Sequence, residues 1–376
     1  MGAWADKFVI GLTGNIATGK SVVRRMLEHL GAYGIDADAL AHRAIAKGSP
    51  GYQKVVDLFG RWILTPDGQI DRAKLGRIVF ADPEAMRQLE AVVHPLVRQA
   101  VQILVQRAPQ KVVVIEAIKL LESPLRELCD SIWVADVPKE VQIQRLVSKR
   151  KMTPQEALQR VEAQAPQSEK LAAASVIIYN QGSFEETWKQ VVSAWKQLAP
   201  ALTEEKAAEP AVAGELRVVR ARPKQAAEIA DFINHMSNRQ PELTRMDIMA
   251  AFGEKAYMLL YLDDALVGLA GWQVENLVTR VDEVYFSEDL PLQKAVETLF
   301  PAVEQASREL QSEAALVFVS PAMAQHNSVW STIGYERRAL EEISVRAWQE
   351  AARESMPAGT VLLFKQLRKD RVLRPI

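Results

Sequence analysis

The 376-residue chain predicts two domains of different class: an α/β unit with a parallel sheet covered by helices on both faces, then an α+β unit whose sheet is mainly antiparallel. Three observations carry this reading. Up to about residue 200, short apolar runs alternate with amphipathic stretches, as they do where a parallel sheet is buried on both sides. From residue 215 onward, apolar runs follow one another across tight turns, as in an antiparallel meander. Between them, Leu202 to Gly214 (LTEEKAAEPAVAG) is rich in Ala and Glu and poor in large apolar residues, a linker composition. The expected divisions are 1–200, 201–214 and 215–376.

In the first domain, Lys7 to Leu12, Lys111 to Glu116, Ser131 to Asp136 and Ser175 to Asn180 read as buried strands, and Ile35-Asp36 ends a further short one. In the second, Leu216 to Ala221 reads as a strand and Lys224 to Met236 as a helix. Ala256 to Leu262, Ala265 to Glu275 and Thr279 to Phe286 follow as strands, the first two joined at Asp263-Asp264. A long helix from Leu292 to Leu310, a strand from Ala315 to Ser320, a short helix near Asn327 and a strand from Thr360 to Gln366 complete it.

Composition narrows the function. At 48% hydrophobic and 25% charged residues the chain has the makeup of a globular protein rather than a disordered one. A net charge of -1 supplies no basic field, which argues against nucleic acid or anionic membrane as the main partner. Its single cysteine, Cys129, excludes an internal disulfide, and no Cys/His spacing suits structural zinc. The N-terminus has no secretory pattern and no stretch has the apolar length of a membrane span, so the protein is expected in the cytoplasm.

The strongest motif is Gly14-Asn15-Ile16-Ala17-Thr18-Gly19-Lys20-Ser21, a G-x-x-x-x-G-K-S phosphate loop directly after the strand FVIGL and directly before the helical VVRRMLEHL. Such a loop turns its backbone N–H groups inward beside a helix N-terminus and cradles a triphosphate. Lys20 would neutralise the β and γ phosphates of ATP, and Ser21 would ligate Mg²⁺. Ala17 occupies a place where these loops often carry glycine, so one backbone position must accommodate a Cβ. The parallel sheet is thereby expected to be of the P-loop NTPase type. No N-K-x-D element for reading guanine is present, and a small-molecule kinase is the expected class. Such an enzyme needs an acceptor hydroxyl in line with the γ-phosphoryl group, an acid to position or deprotonate it, and arginines for the spreading charge.

GLTGNIATGKS at Gly11, GIDADALAHRAIAKGSPGY at Gly34, LFGRWILTPDGQIDRAKLGRIVF at Leu58, LEAVVHP at Leu89 and VQIQRLVSKRKMTPQEALQRVEAQ at Val141 occur in the order seen in dephospho-coenzyme A kinases. Residues 7 to about 199 closely resemble that family. The resemblance implies transfer of the ATP γ-phosphate to the ribose 3′-hydroxyl of dephospho-CoA, making coenzyme A, with dephospho-CoA and ATP as partners. It places Asp38 as the acid beside the acceptor hydroxyl, although an Asp at a helix start is also a common N-cap. Asp36 could be a cap, a residue near Mg²⁺ or a substrate contact. Arg72 and His94 lie where the family contacts its acceptor; their plainer readings are a solvated helix start and a structural histidine.

Glu116 closes its strand where P-loop folds place a carboxylate near Mg²⁺. There the family usually has Asp followed by Val-Pro-Leu-Leu, whereas this chain has Glu116-Ala-Ile-Lys-Leu-Leu, with Lys119 in the acceptor-side wall. Arg145 and Arg150, in a basic stripe on a helix from Lys139 to Lys151, match the family's lid and would contact phosphate oxygens. Asn180 and Gly182 would sit by the adenine, and Ser175 replaces the family's usual Asp.

Residues after Gly214 resemble the GNAT-type N-acetyltransferase fold, including Asn327-Ser-Val-Trp-Ser-Thr-Ile-Gly-Tyr-Glu near its end. That family cradles the pyrophosphate of acetyl-CoA with a Gly-rich turn before the long helix. This chain has Ser287-Glu288-Asp289-Leu290-Pro291 instead, where two carboxylates would repel it. Two readings follow: a catalytically silent module that binds a partner or steadies the kinase, or a domain that still holds CoA or acetyl-CoA by another geometry, with an active N-acetyltransferase as the alternative. Trp272, Trp330 and Tyr335 are expected in its core. For the first domain, the competing classes are another P-loop small-molecule kinase, distinguished by its acceptor, and a non-enzymatic nucleotide or CoA sensor silenced at Ala17, Glu116 and Ser175.

Overall fold

A computed structural model describes residues 4, 6–198, 214–237 and 240–368. The expected linker lies outside the described residues except for Gly214. The chain falls into two compact units that divide between Ala194 and Trp195, within the helix Phe184–Leu198 and slightly before the expected residue 200. Among the described residues no helix is long and apolar enough to cross a membrane.

In the first unit β1 (Phe8–Thr13), β2 (Tyr33–Asp36), β3 (Val112–Glu116), β4 (Ser131–Asp136) and β5 (Val176–Tyr179) form a five-stranded sheet in the order β2-β3-β1-β4-β5. Every pairing is parallel. The expected α/β class is therefore observed. β1 lies at the centre, with Ile10 opposite Val114 on one side and Ser131 on the other. Val, Ile and Leu run almost unbroken along β1 and β3 because both faces are covered by helices. The carboxyl ends of β1, β2 and β3 therefore open at one edge, where an open α/β sheet offers its binding crevice.

Caps start the surrounding helices. Asp36, not Asp38, caps Ala37–Ala44 by accepting from Ala39 N–H at 2.9 Å. Asp71 caps Arg72–Ala81 in the same way, accepting from Ala73 and Lys74 N–H. Ser175 stands just before β5 and still ties it to β4, because its hydroxyl accepts the Ile132 N–H at 3.3 Å and its own N–H donates to Ile132 O at 2.8 Å.

The second unit is a seven-stranded sheet in the order β11-β12-β10-β9-β8-β7-β6. The strands are β6 (Leu216–Arg220), β7 (Ala256–Leu262), β8 (Ala265–Glu275), β9 (Val278–Phe286), β10 (Ala314–Val319), β11 (Glu336–Arg337) and β12 (Val361–Gln366). Only the β9 to β10 pairing is parallel, the crossover being the long helix Leu292–Glu309. The meander is as expected, with Asp263 at a positive φ of 54° in the β7 to β8 turn, a conformation Asp tolerates.

The helices Arg245–Ala251 and Arg346–Ser355 and the strand β11 were not legible in the pattern. Arg346–Ser355 buries Trp348, Ala351 and Ala352 on one face, and alanines make a weak apolar stripe; β11 is two residues long, too short for any period.

Phe300 of the long helix meets Trp330 edge-on at 5.0 Å and Tyr335 at 5.7 Å between ring centres. All three are buried, as is Trp272, so the expected core aromatics are core. We expect Phe300→Ala to cost about 3–5 kcal/mol of the second unit's stability. Urea unfolding followed by tryptophan fluorescence measures this, and a loss below about 1 kcal/mol would contradict the packing described.

Candidate active site

The loop from Gly14 to Gly19 joins the end of β1 to the helix Lys20–His29. Two of its glycines are required. Gly14 has φ 147° and an added Cβ would lie 2.4 Å from Ala135 O; Gly19 has φ 88° and a Cβ there would lie 1.8 Å from Asn180 Nδ2. Ala17 takes a left-handed φ of 60°, at a cost of about 1 kcal/mol for a residue with a Cβ. Ile16 and Ala17 pack against the cluster of Leu146, Ala157 and Val161, which gives both side chains an apolar setting.

The outer half of the loop is fastened by side chains from a segment about 150 residues further along the chain. Asn15 N–H donates to Gln167 Oε1 at 3.0 Å, Ile16 N–H donates to Gln164 Oε1 at 2.7 Å, and Lys170 Nζ donates to Asn15 Oδ1 at 2.8 Å. Gln164 precedes the helix Gln167–Ala172 that carries the other two, so no helical period marks the three as a set. Asn180 donates to Thr18 O at 3.0 Å, and Arg145 donates to Ala17 O at 3.2 Å and Asn180 O at 2.5 Å. Asn180 and Arg145 thus hold the loop backbone from the far side. Gly182 packs beside Glu186 in the turn after β5. Arg150 ends its helix exposed, within electrostatic range of Lys20.

Behind the loop lies a buried charge network. Glu116, at the end of β3, accepts from the Ser21 hydroxyl at 2.7 Å and from Arg24 Nε at 2.8 Å. Arg24 also pairs with Glu28. Burial alone would push the Glu116 carboxyl up, but the cations Arg24 and Lys20 outweigh it and hold the group below its ordinary 4.5. Lys20 is buried as well, which pulls its ammonium below the usual lysine range against the opposing carboxylates of Glu116, Asp38 and Asp36. Its Nζ meanwhile donates to Asn15 O at 3.1 Å. Arg24 lies one helical turn beyond Lys20 and so on the same face, but its pairing with Glu116, 92 residues along the chain, is set by the fold.

Asp38 sits in the first turn of its helix with Oδ2 accepting the Ile118 N–H at 3.1 Å. Burial pushes its carboxyl up to about 6, with Lys20 opposing and Asp36 adding to the rise. His42, one turn further on, is held below its ordinary range by burial and by Arg72. A cavity of about 360 Å³ opens from here: Asp38, His42, Arg72, His94, Glu90 and Lys119 give it a polar side, and Leu75, Val79, Met86 and Val93 an apolar one. The structure therefore gathers Asp38, Arg72 and His94 at one cavity, while Asp36 serves as a cap. His42 was missed, although its spacing of four from Asp38 places both on one helix face.

A phosphate loop, a buried lysine and a carboxylate at the edge of a substrate-sized cavity define a P-loop phosphotransferase. The family model for dephospho-CoA kinase matches residues 8–186. Dephospho-CoA kinase of Geobacter metallireducens is 45% identical over 192 residues, 50% of this chain and 96% of that one. That of Carboxydothermus hydrogenoformans is 44% identical over 188 residues, 49% of this chain and 91% of that one. The chain belongs to the dephospho-CoA kinase family, ATP-using transferases.

Among solved structures, dephospho-CoA kinase from Campylobacter jejuni is similar at 28% identity and a TM-score of 0.36, covering 52% of this chain and 100% of that one. An N-acetyltransferase of Thermoplasma acidophilum solved with coenzyme A is similar at 7% identity and a TM-score of 0.31, covering 40% of this chain and 99% of that one.

Because the Glu116 pKa is depressed on folding, its contribution to stability is complete above the ordinary 4.5 and is lost as pH falls through the lower folded value. We expect Glu116→Gln to lower stability by about 3 kcal/mol near neutral pH, since Arg24 loses a buried partner. The difference from wild type narrows on acidification, and urea titrations at several pH values read both effects. A difference independent of pH would refute the assigned pairing.

Proposed function

We propose that the first domain, residues 1–200, moves the γ-phosphoryl group of ATP to the ribose 3′-hydroxyl of dephospho-CoA with Asp38 as the acid–base residue. The observation that supports this best is the placement of Asp38, whose carboxylate is held by Ile118 N–H between Lys20 and the cavity. The acceptor's 3′-oxygen forms a bond to the γ-phosphorus while the bond from that phosphorus to the β–γ bridging oxygen breaks. The hydroxyl proton passes to Asp38, and ADP leaves with the electron pair.

Lys20 and the N–H groups at the start of its helix hold the β and γ phosphates, with Gly14 to Ser21 forming the cradle. Arg150, exposed near Lys20, supports the developing charge on the transferred group. Arg145, Asn180 and Gly182 form the adenine side, where Arg145 and Asn180 act by shaping the loop backbone. Arg72 and His94 position the acceptor.

The Ser21 hydroxyl and Glu116 carboxylate, 2.7 Å apart, are oxygen donors suited to a hard cation, and these two residues would hold Mg²⁺. Such an ion would supply neutralisation of the phosphate charge. The reading places the enzyme in the cytoplasm.

For the second domain, residues 215–376, we favour the silent module. In the turn before the long helix, Asp289 N–H donates to Ser287 Oγ at 3.4 Å and Leu290 N–H to Ser287 O at 3.2 Å, so these donors are directed inward. Two carboxylates, Glu288 and Asp289, stand where a pyrophosphate would need donors.

The test is phosphate transfer from ATP by the full chain, offering dephospho-CoA beside adenosine and AMP. Selective formation of coenzyme A supports the reading; transfer to another acceptor refutes it. Lys20→Ala abolishes turnover, and normal turnover would exclude the loop's role. Because Asp38 must be ionised to accept the proton, kcat/KM rises with pH through about 6 and levels above it. Asp38→Asn removes this limb and lowers kcat by about 10²–10⁴-fold.

A further inference from the structure

Among the residues lining the cavity beside Asp38, the arginines and lysines are Arg72 and Lys119. Lys119 directly follows Ile118, whose N–H holds Asp38 Oδ2 at 3.1 Å. Its own Nζ lies 2.7 Å from Glu90 Oε1, a residue of the helix Pro83–Arg107 that also lines the cavity. The Lys119 side chain is 53% exposed and that of Glu90 30%, so the pair spans the rim of the cavity rather than its interior. An ion pair this exposed is weak, so exchanging Glu90 for a more highly charged partner costs little.

We infer that Lys119 is an acceptor-specificity residue, whose ammonium leaves Glu90 and takes the diphosphate of the incoming dephospho-CoA. The inference rests on the reading that this cavity holds the acceptor. The diphosphate is attached at the 5′ carbon of the same ribose whose 3′-hydroxyl meets Asp38. An anion-binding group is therefore needed a short way along the wall from Asp38, and Lys119 is one residue beyond the backbone that holds that carboxylate. Glu90 keeps the lysine at the rim and disfavours anions that cannot displace it. The apolar side of the cavity is left for the acceptor's uncharged arm, beside Phe80, which is 81% exposed at its edge.

Steady-state kinetics of the full chain with dephospho-CoA and ATP test this in wild type, Lys119→Met and Glu90→Gln. Lys119→Met raises the KM for dephospho-CoA by about tenfold, as loss of a charge-assisted contact predicts, while kcat and the KM for ATP stay within about twofold. It also flattens the rise of that KM with added salt. Glu90→Gln lowers the KM for dephospho-CoA, a change in the opposite direction that a merely structural ion pair would not produce. An unchanged KM in Lys119→Met, or a KM raised equally in both variants, overturns the role of Lys119 while leaving the acceptor reading intact. Wild type that turns over ATP with another acceptor but not with dephospho-CoA overturns the acceptor reading and this inference together.

Discussion

The carboxylate of Glu116 is buried at the end of β3, and the charged end of the first unit is arranged around it. A lone buried carboxylate would take up a proton, because transferring its charge from water to the interior costs several kcal/mol. Here Arg24 and Ser21 hydrogen-bond its two oxygens, and Lys20 adds an attractive charge. These partners all come from the first turns of one helix, so satisfying Glu116 also fixes that helix against β3. The phosphate loop must then close between β1 and the helix start in the one path that Gly14 and Gly19 allow. Structural charge pairing therefore engages Lys20 and Ser21, the residues to which the proposed phosphate site is assigned.

On the acceptor side the electrostatic balance is different. Lys20 stabilises the ionised form of both Asp38 and Glu116, yet only Glu116 ends below its ordinary value. The difference is chiefly a second cation, Arg24, beside Glu116. Glu116 has a guanidinium and a hydroxyl, whereas Asp38 has one backbone N–H and a neighbouring carboxylate in Asp36. One carboxylate is thus held charged as part of the structure, and the other is left close to the pH at which a proton can be exchanged. The same fold element, the end of β3 and the residues that follow it, supplies Glu116, the Ile118 N–H and Lys119.

The second unit is held together by its own aromatic core. Its core of Phe300, Trp330 and Tyr335 is closed by edge-to-face contacts, and the segment before its long helix directs N–H groups back onto Ser287.

Apart from the two-residue β11, the strands of both sheets, the long helix and the phosphate loop were legible because each is a local pattern: a run of β-branched residues, a period of 3.6, or glycines at fixed spacing. Asp38, Arg72 and His94 were legible through family motifs, and their meeting at one cavity followed. What remained hidden was partnership. That Arg145 holds carbonyl oxygens of Ala17 and Asn180, and that Gln164 and Gln167 fasten the loop, depend on segments far apart in the chain. The short helix Arg346–Ser355 was hidden for a related reason, since alanines are apolar only weakly until a sheet covers them. By itself the sequence determined which elements form and which chemical groups are available. Tertiary structure decided which carboxylate is neutralised, which is left to titrate and which lysine faces the cavity, because burial and charge pairing are properties of surroundings that only the folded chain assembles.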